Sequence, residues 1–183
     1  MPEPPATSPS ASFRYCPRCG QGPSAPPREP SFSCAACGFH YHFNPAAAAG
    51  VIAQDGEGRV LLVRRAKEPA RGLLGVPGGF VDIGETAEDS ARREAREETG
   101  IDVEGLLFLG SWPNLYEWRG LAYPVVDLYF TARVGAGSPA SARHEVEEVV
   151  WQRPEEVDPA TLAFPTTRAA FALYRERGDR TKR

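Results

Sequence analysis

Residues 76–101 read VPGGFVDIGETAEDSARREAREETGI, and this stretch predicts a glycine loop that leads into a helix. Gly78 and Gly79 follow Pro77 directly. A residue without Cβ lets the backbone bend sharply and lets a ligand or side chain come close to it. We therefore expect a loop at Gly78 and Gly79 that closely approaches a functional group.

The helix is predicted over residues 87–99, because both of its ends carry recognisable signals. Thr86 with Asp89 three residues later resembles a capping box, and the predicted helix contains neither glycine nor proline. Gly100 is placed where a helix commonly stops in a left-handed conformation.

Three carboxylates, Glu94, Glu97 and Glu98, lie at positions i, i+3 and i+4 of this helix and so share one face. Like charges at this spacing cost about 0.2–0.5 kcal/mol per exposed pair, unless a cation lies among them. Hard divalent cations such as Mg²⁺ and Mn²⁺ prefer oxygen ligands. The alternative is an ordinary solvated face, since the helix also carries several arginines and other acidic residues.

The spacing of these residues matches a known motif at every fixed position. The motif is the Nudix box, G-x5-E-x7-R-E-U-x-E-E-x-G-U, in which U is aliphatic. Its positions are occupied by Gly79, Glu85, Arg93, Glu94, Ala95, Glu97, Glu98, Gly100 and Ile101. The chain therefore resembles the Nudix hydrolases, which cleave nucleoside diphosphates linked to another moiety. Whereas composition alone indicates an α+β fold, the resemblance implies an α/β/α sandwich with a mixed sheet.

The resemblance also implies roles for individual residues. Glu94, Glu97 and Glu98, with the Gly79 carbonyl, would bind catalytic Mg²⁺ or Mn²⁺, and Arg93 would orient a box glutamate. The implied reaction is metal-assisted attack of water on a pyrophosphate. Glu98, Glu97 or a further carboxylate outside the box would take the proton.

Two acidic residues near the C-terminal end are candidates for that further carboxylate. Glu148, three residues before Trp151, is the first choice as metal ligand or general base. Glu145 is the second, and it could also contact the substrate. A plain acidic loop is the alternative for either residue.

All four cysteines fall into two C-x2-C pairs, each followed by glycine. This is the arrangement of a zinc ribbon, in which each pair supplies two tetrahedral ligands. We expect structural Zn²⁺ on Cys16, Cys19, Cys34 and Cys37. Two disulfides are the alternative.

A zinc ribbon ahead of a Nudix domain resembles the NADH pyrophosphatase branch of the family. In that branch a motif SQPWPFPxS follows the box, and Ser111 and Pro113 match it while Asn114 and Glu117 do not. We expect ADP-ribose or an NADH-like dinucleotide as substrate. A nucleotide sugar, a coenzyme or a nucleoside triphosphate is the alternative.

Aromatic and basic residues outside the box are candidate substrate contacts. Trp112 and Tyr116, in a predicted irregular loop over 111–118, could stack a base or sugar, or could instead pack in the core or a dimer. Arg64 and Arg65 end a predicted strand and could bind phosphate, or simply face solvent.

The predicted organisation is a disordered tail (1–12), a zinc ribbon (13–43), a Nudix domain (44–178) and a basic tail (179–183). Strands are expected over 46–54, 59–65, 102–111, 122–134 and 146–152, a helix starting near Pro154, and a last helix over 166–176.

The formal net charge of −3 gives no general attraction to polyanions, and no apolar run is long enough to span a bilayer. Without the pattern of a signal peptide, we expect a cytoplasmic protein. The expected partner is a small nucleotide substrate rather than nucleic acid, with capped RNA ends as the exception. Relatives suggest a homodimer, and a non-catalytic nucleotide-sensing or nucleic-acid-binding module is the competing class.

Overall fold

The computed structural model describes residues 9–22, 31–135 and 140–180, which fall into two compact units. The ribbon unit comprises the described residues up to Ala46 together with Leu115–Val125, and the large unit comprises the remainder. The predicted boundary between ribbon and Nudix domain lies close to this division. The sequence prediction did not assign the segment Leu115–Val125 to the ribbon.

The ribbon unit is built on a short antiparallel hairpin of β1 (Ser31–Ser33) and β2 (His40–His42). A small core of cysteines and aromatic side chains surrounds the fully buried Phe32. Of the predicted disordered tail, residues 1–8 lie outside the described part of the chain. Pro9–Ser12 were predicted wrongly, because they form a 3-10 helix in which Ser10 is buried.

The large unit is organised around a mixed, seven-stranded sheet, counted over the described residues. Its central strand order is β5-β4-β3-β8-β7, while β6 pairs with β3 and β9 pairs with β4. The strands are β3 (Ala46–Gln54), β4 (Val60–Arg65), β5 (Leu74–Gly75), β6 (Gly78–Phe80), β7 (Val103–Trp118), β8 (Leu121–Val134) and β9 (Val146–Gln152).

Two helices pack against the sheet, α1 (Ala87–Thr99) and α2 (Pro165–Arg180). Along β3 successive side chains enter different apolar clusters: Val51 joins the cluster that contains Ala91 and Ala95 of α1, and Ile52 joins the one that contains Phe171 of α2. Because side chains alternate along a strand, the two clusters lie on opposite faces of the sheet. The predicted α/β/α sandwich is confirmed.

Two predicted loops are strands instead. Gly78 and Gly79 lie in β6, paired antiparallel with β3. Residues 111–118 continue β7, which then turns back into β8 through Arg119 and Gly120. Both turn residues have positive φ (48° and 77°), as a two-residue hairpin turn requires. The sequence prediction missed this because Pro113 and the irregular aromatic pattern do not resemble a strand.

The C-terminal segment differs slightly from its prediction. Pro154–Glu156 form only a 3-10 helix, and a second one follows at Pro159–Thr161. Helix α2 continues to Arg180, so the first two residues of the predicted basic tail belong to it, and residues 181–183 lie outside the described part. Neither helix of the described ranges is long and apolar enough to cross a membrane.

Candidate active site and metal centre

Helix α1 begins and ends at the predicted residues. Thr86 caps its N-terminus: its Oγ1 accepts a hydrogen bond from the Asp89 backbone N–H (3.1 Å) and donates one to the Asp89 carboxylate (2.7 Å). Gly100 ends the helix with φ of 73°, and its N–H donates to the Arg96 carbonyl. These caps set the position of the carboxylate face along the helix.

Strand β6 lies directly against that face. A Cβ on Gly79 would lie 2.4 Å from Oε1 of Glu94, and a Cβ on Gly78 would lie 2.4 Å from the Ala49 carbonyl oxygen. The Gly78 N–H donates to Oε2 of Glu98 (3.1 Å). Glycine therefore serves close approach at both positions, of Gly79 to the Glu94 side chain and of Gly78 to the backbone of β3, and not a sharp bend.

Arg93 links the box residues to one another. Its guanidinium donates to both carboxylate oxygens of Glu85 (2.9 and 3.0 Å), to Glu94 (2.8 Å) and to Glu97 (3.3 Å). It also donates to the Phe80 carbonyl on β6 (3.1 Å). Hydrogen bonds from Arg93 lower the pKa of Glu85, and the pKa of Arg93 is raised chiefly by Glu85. Arg93 therefore holds the glutamates in place, as the family resemblance implied.

The three box carboxylates differ in exposure and charge. Burial raises the pKa of Glu94, and it raises the pKa of Glu98 to about 8 in spite of the hydrogen bond from Gly78. The negative charge of Glu94 adds to the effect on Glu98. The side chain of Glu97 is 51% exposed. An ordinary solvated face does not describe Glu94 and Glu98, since their ionised forms lack enough compensating charge.

The two acidic candidates outside the box occupy different positions. Glu148 lies within β9, directly opposite Arg64 of β4, and accepts a hydrogen bond from Arg64 Nε (2.8 Å). Glu145 precedes β9 and pairs with Lys67 (2.7 Å). Its negative charge contributes to the raised pKa of Glu98. Both candidates are therefore paired with a basic side chain, Glu148 with Arg64 and Glu145 with Lys67.

The two arginine candidates are both held by the protein. Besides its pair with Glu148, Arg64 donates to the Gly72 carbonyl (3.0 Å). Arg65 donates to the Pro69 carbonyl (2.9 Å), and its guanidinium lies 5.0 Å from the centre of the Phe164 ring. The positive charge of Arg65 lowers the pKa of Glu98, so Arg65 lies within electrostatic reach of the carboxylates.

The two aromatic candidates lie in different units. Trp112 packs edge-on against Tyr129, with ring centres 5.7 Å apart, and is partly buried beside the α2 cluster. Its contacts are those of a core residue, which was the alternative interpretation. Tyr116 lies four residues further along β7, in the ribbon unit. The structure does not gather these two side chains into one aromatic pocket.

The four cysteines converge within the ribbon unit. Their Sγ atoms all lie within 4.8 Å of one another, and the Cys16–Cys37 and Cys19–Cys34 Sγ distances are both 3.7 Å. Four sulfurs at the usual Zn–S distance of about 2.3 Å lie about 3.8 Å apart at the corners of a tetrahedron. A disulfide would require about 2.05 Å. The cluster is thus compatible with a four-thiolate metal site.

Arg143 is a residue that the sequence did not indicate. Its guanidinium lies against Gly100, and its backbone N–H donates to the Glu98 carbonyl (3.0 Å). The Ser141 N–H donates to the Thr99 carbonyl (2.9 Å). This segment completes the C-terminal end of α1 and leads directly to Glu145. No local pattern predicts it, because the contact depends on a chain segment returning to the helix from outside the box.

The sandwich fold and the arginine-linked carboxylate helix are the features of a Nudix domain. Comparison with known families agrees: the NUDIX domain matches residues 44–174. The chain belongs to the Nudix domain family.

Curated relatives include two kinds of enzyme. The NAD-capped RNA hydrolase NudC of Pseudomonas fluorescens (strain Pf0-1) is 27% identical over 163 residues, which are 88% of this chain and 55% of that protein. The ADP-ribose pyrophosphatase of Methanocaldococcus jannaschii is 39% identical over 79 residues, 42% of this chain and 46% of that protein. The chain thus spans about half the length of the curated relatives it matches.

Solved structures share the fold. A NUDIX hydrolase from Nitrosomonas europaea superposes with a TM-score of 0.69 over 90% of this chain and 92% of its own, at 24% identity. The NUDIX domain of Shewanella oneidensis NrtR, solved with ADP ribose, has a TM-score of 0.61 and 26% identity, covering 73% of this chain and 88% of its own.

Proposed function

We propose that this chain is a metal-dependent hydrolase that cleaves the pyrophosphate bond of a nucleoside diphosphate linked to another moiety. The observation that carries the proposal is the carboxylate face of α1, where the partly buried Glu94 and Glu98 lie beside the half-exposed Glu97, and Arg93 donates hydrogen bonds to Glu94 and Glu97. Such a face favours a divalent cation, because a cation restores the ionised forms that burial opposes. The names of the curated relatives support the same reaction class.

The residues present fit Mg²⁺ or Mn²⁺. Glu94, Glu97 and Glu98 with the Gly79 carbonyl form an all-oxygen set, the donor type that hard cations prefer. A divalent cation bound there would neutralise diphosphate oxygens and make water a stronger nucleophile. The four cysteines would hold Zn²⁺ with a structural role, since a closed four-thiolate shell leaves no position for substrate.

The chain's own side chains would orient the substrate and accept the proton. Arg65 is the better placed arginine for a phosphate oxygen, because it acts electrostatically on Glu98 while Arg64 is neutralised by Glu148. The proton of the attacking water would pass to a carboxylate, for which Glu98, Glu97, Glu148 and Glu145 are the candidates. Lys67 would hold Glu145 in position.

ADP-ribose or an NADH-like dinucleotide, including one at a capped RNA end, is the favoured substrate. A nucleotide sugar or a nucleoside triphosphate is the alternative. The second candidate function is a nucleotide-binding module without turnover, and the NrtR structure shows that a Nudix domain of similar fold binds ADP ribose. The cytoplasmic location and the homodimer stay predictions.

A release assay tests the proposal. The full chain is incubated with Mg²⁺ or Mn²⁺ and NADH, ADP-ribose, nucleotide sugars, NAD-capped RNA or nucleoside triphosphates, and the products are separated by chromatography. We expect hydrolysis of at least one substrate and a loss of about 10²–10⁴-fold in Glu97→Gln, with an unchanged melting temperature because the side chain is half exposed.

Exposed Glu104→Gln, outside the box, is the matched control and should keep full turnover. Near-normal turnover in Glu97→Gln would refute the metal assignment. Binding of ADP-ribose without turnover of any substrate would favour the nucleotide-binding module.

A further inference from the structure

The ribbon unit contains a cavity of about 260 Å³ that has no part in the site described above. It lies between the 3-10 helix Pro9–Ser12, the segment from β2 to the start of β3, and the outer part of β8. None of its lining residues belongs to the Nudix box or to the cysteine cluster. All of them belong to the same compact unit.

One wall of the cavity is a cluster of three aromatic rings. Phe13 and Tyr41 are nearly parallel, with an interplanar angle of 20° and ring centres 5.6 Å apart. Phe43 packs edge-on against both, at 4.8 and 5.2 Å. Tyr41 is 46% exposed, and Tyr123 from β8 contributes a further ring to the lining. Such a wall suits a flat ring that stacks on it.

The chemistry of the lining excludes charged ligands. The residues around the cavity carry no formal charge, so nothing there would neutralise a phosphate or carboxylate. Asn44, Tyr41 and Tyr123 are among the lining residues, and their side chains carry an amide, with both a donor and an acceptor, and two hydroxyl groups. This combination fits a neutral planar ring with a polar edge.

The size of the cavity limits the ligand to a single ring system. Pockets for complete drug-sized ligands are about 300–1,000 Å³, so this cavity is too small for a whole dinucleotide. Among biological molecules, nucleobases are neutral and flat, and single-stranded bases are bound by stacking on aromatic rings with hydrogen bonds to the base edge.

We propose that this cavity is a nucleobase-binding site, in which an unpaired base stacks on the Phe13, Tyr41 and Phe43 wall and directs its polar edge to Asn44. The zinc ribbon would then recognise a base through contacts independent of the diphosphate chemistry of the box. The proposal does not depend on turnover, so its failure and the failure of the proposed function are separate outcomes.

The test measures binding of adenosine, which carries no phosphate, to the zinc-loaded full chain without Mg²⁺ or Mn²⁺. Calorimetry or ligand-observed NMR gives the affinity. Ala46→Phe fills the cavity without removing a contact, and Tyr41→Ala removes part of the wall. Each should weaken binding about 5- to 150-fold, the range that corresponds to one stacked base.

Tyr15→Ala is the matched control, because Tyr15 is an exposed ribbon tyrosine outside the cavity lining. It should bind adenosine as the unmodified chain does. Zinc content and the NMR spectrum of each variant establish that the ribbon is folded. Glu97→Gln should also bind adenosine normally, since its change lies in the box.

Three results would overturn the proposal. The first is absence of adenosine binding, or equal binding by Ala46→Phe. The second is loss of binding in Glu97→Gln, which would place adenosine at the box. The third is that indole binds as tightly as adenosine and that Asn44→Ala changes the affinity of neither ligand. That result would make the cavity a general apolar pocket. Adenosine binding in a chain that hydrolyses no substrate would support this site and refute only the proposed function.

Discussion

The box carboxylates and the ribbon cysteines are both candidate metal-ligand clusters encoded by short, fixed spacings, but they differ in how the protein surrounds them. The four Sγ atoms lie at distances that a single tetrahedral ion would fill. The carboxylates instead leave Glu97 half exposed beside the partly buried Glu94 and Glu98. A closed set of ligands supports a fold, whereas an open set can also admit a substrate.

The surroundings of the two clusters fit this difference. The ribbon core consists of little more than the cysteines and a few aromatic rings, so a metal would supply much of its stability. Helix α1 is anchored by Ala91 and Ala95 in a large apolar core and does not need a metal to stay folded. The comparison therefore predicts that one metal controls folding and the other controls turnover.

The largest expected effect is that of Cys34→Ser. Cys34 is buried, and structural zinc contributes apparent binding energies of about 10–16 kcal/mol in small zinc modules. We expect loss of bound zinc and of the dispersed NMR signals of the ribbon. Ser33→Ala, which removes only an exposed hydrogen bond to His40, should change neither. Full zinc content in Cys34→Ser would contradict the prediction that a metal bound by the cysteines controls folding of the ribbon.

Gly79→Ala tests the open cluster without touching a ligand side chain. The new Cβ would displace the Glu94 carboxylate, and an error of about 1 Å in a catalytic group can cost about 10²-fold in rate. Stability should change little, since a carboxylate end can move. The measurement is kcat for the substrate found in the release assay, together with the melting temperature.

Gly75→Ala is the matched control, because a Cβ there meets nothing within 4 Å. Gly78→Ala should behave oppositely to Gly79→Ala, since its Cβ would meet the β3 backbone and destabilise the fold. Wild-type turnover in Gly79→Ala would show that the position of Glu94 does not matter.

Asp127 provides a carboxylate that is buried and also fully enclosed by protein donors. It is 8% exposed and accepts hydrogen bonds from Asn114 (2.8 Å) and Thr166 (2.6 Å). Burial raises the pKa of Asp127, so the stability that its protonated form contributes is fully present below the unfolded pKa of about 3.9. That contribution is lost as the pH rises through the pKa of the folded state.

Asp127→Asn should remove this pH dependence. As the pH rises, the free energy of unfolding of the unmodified chain should fall relative to that of Asp127→Asn. The fall should be about 1.4 kcal/mol for each unit by which burial raises the pKa of Asp127. Urea unfolding of both proteins at several pH values between 4 and 8 measures the difference. Parallel stability curves would contradict the prediction. Asp127→Ala should be less stable than Asp127→Asn throughout, because it removes the acceptor of two hydrogen bonds, from Asn114 and from Thr166.

The smallest effect is expected from Arg143→Ala. A cation at the C-terminal end of a helix contributes about 0.3–1 kcal/mol, and the guanidinium of Arg143 lies against Gly100 at the end of α1. Chemical denaturation should show a loss of this size, reduced at high salt. Arg92→Ala, whose charge lies near the opposite end of the helix, is the control and should not show the same loss.

Much of the carboxylate helix was predictable from sequence because its determinants are local. Thr86, Gly100 and the i, i+3, i+4 spacing act within a few residues of one another, so the helix and its acidic face follow without knowledge of the rest of the chain. The cysteine pairs are similar, since each C-x2-C turn brings its two sulfurs together by itself.

The features that the sequence did not indicate concern distant partners. The register of β4 and β9 pairs Glu148 with Arg64. Residues 111–118 were expected to form a loop, yet pairing with β8 makes them a strand. Neither result can be read from a local pattern, because strand register depends on which segments meet in the sheet.

The sequence by itself therefore determined the Nudix family, the helix that carries the acidic face and the two cysteine pairs, because each is recognised from a short, fixed spacing of residues. Only the tertiary structure decided that Gly79 lies against Glu94, that Glu148 pairs with Arg64, and that Phe13, Tyr41 and Tyr123 line a cavity. Those contacts join segments far apart in the chain, and their geometry arises only when each unit has folded.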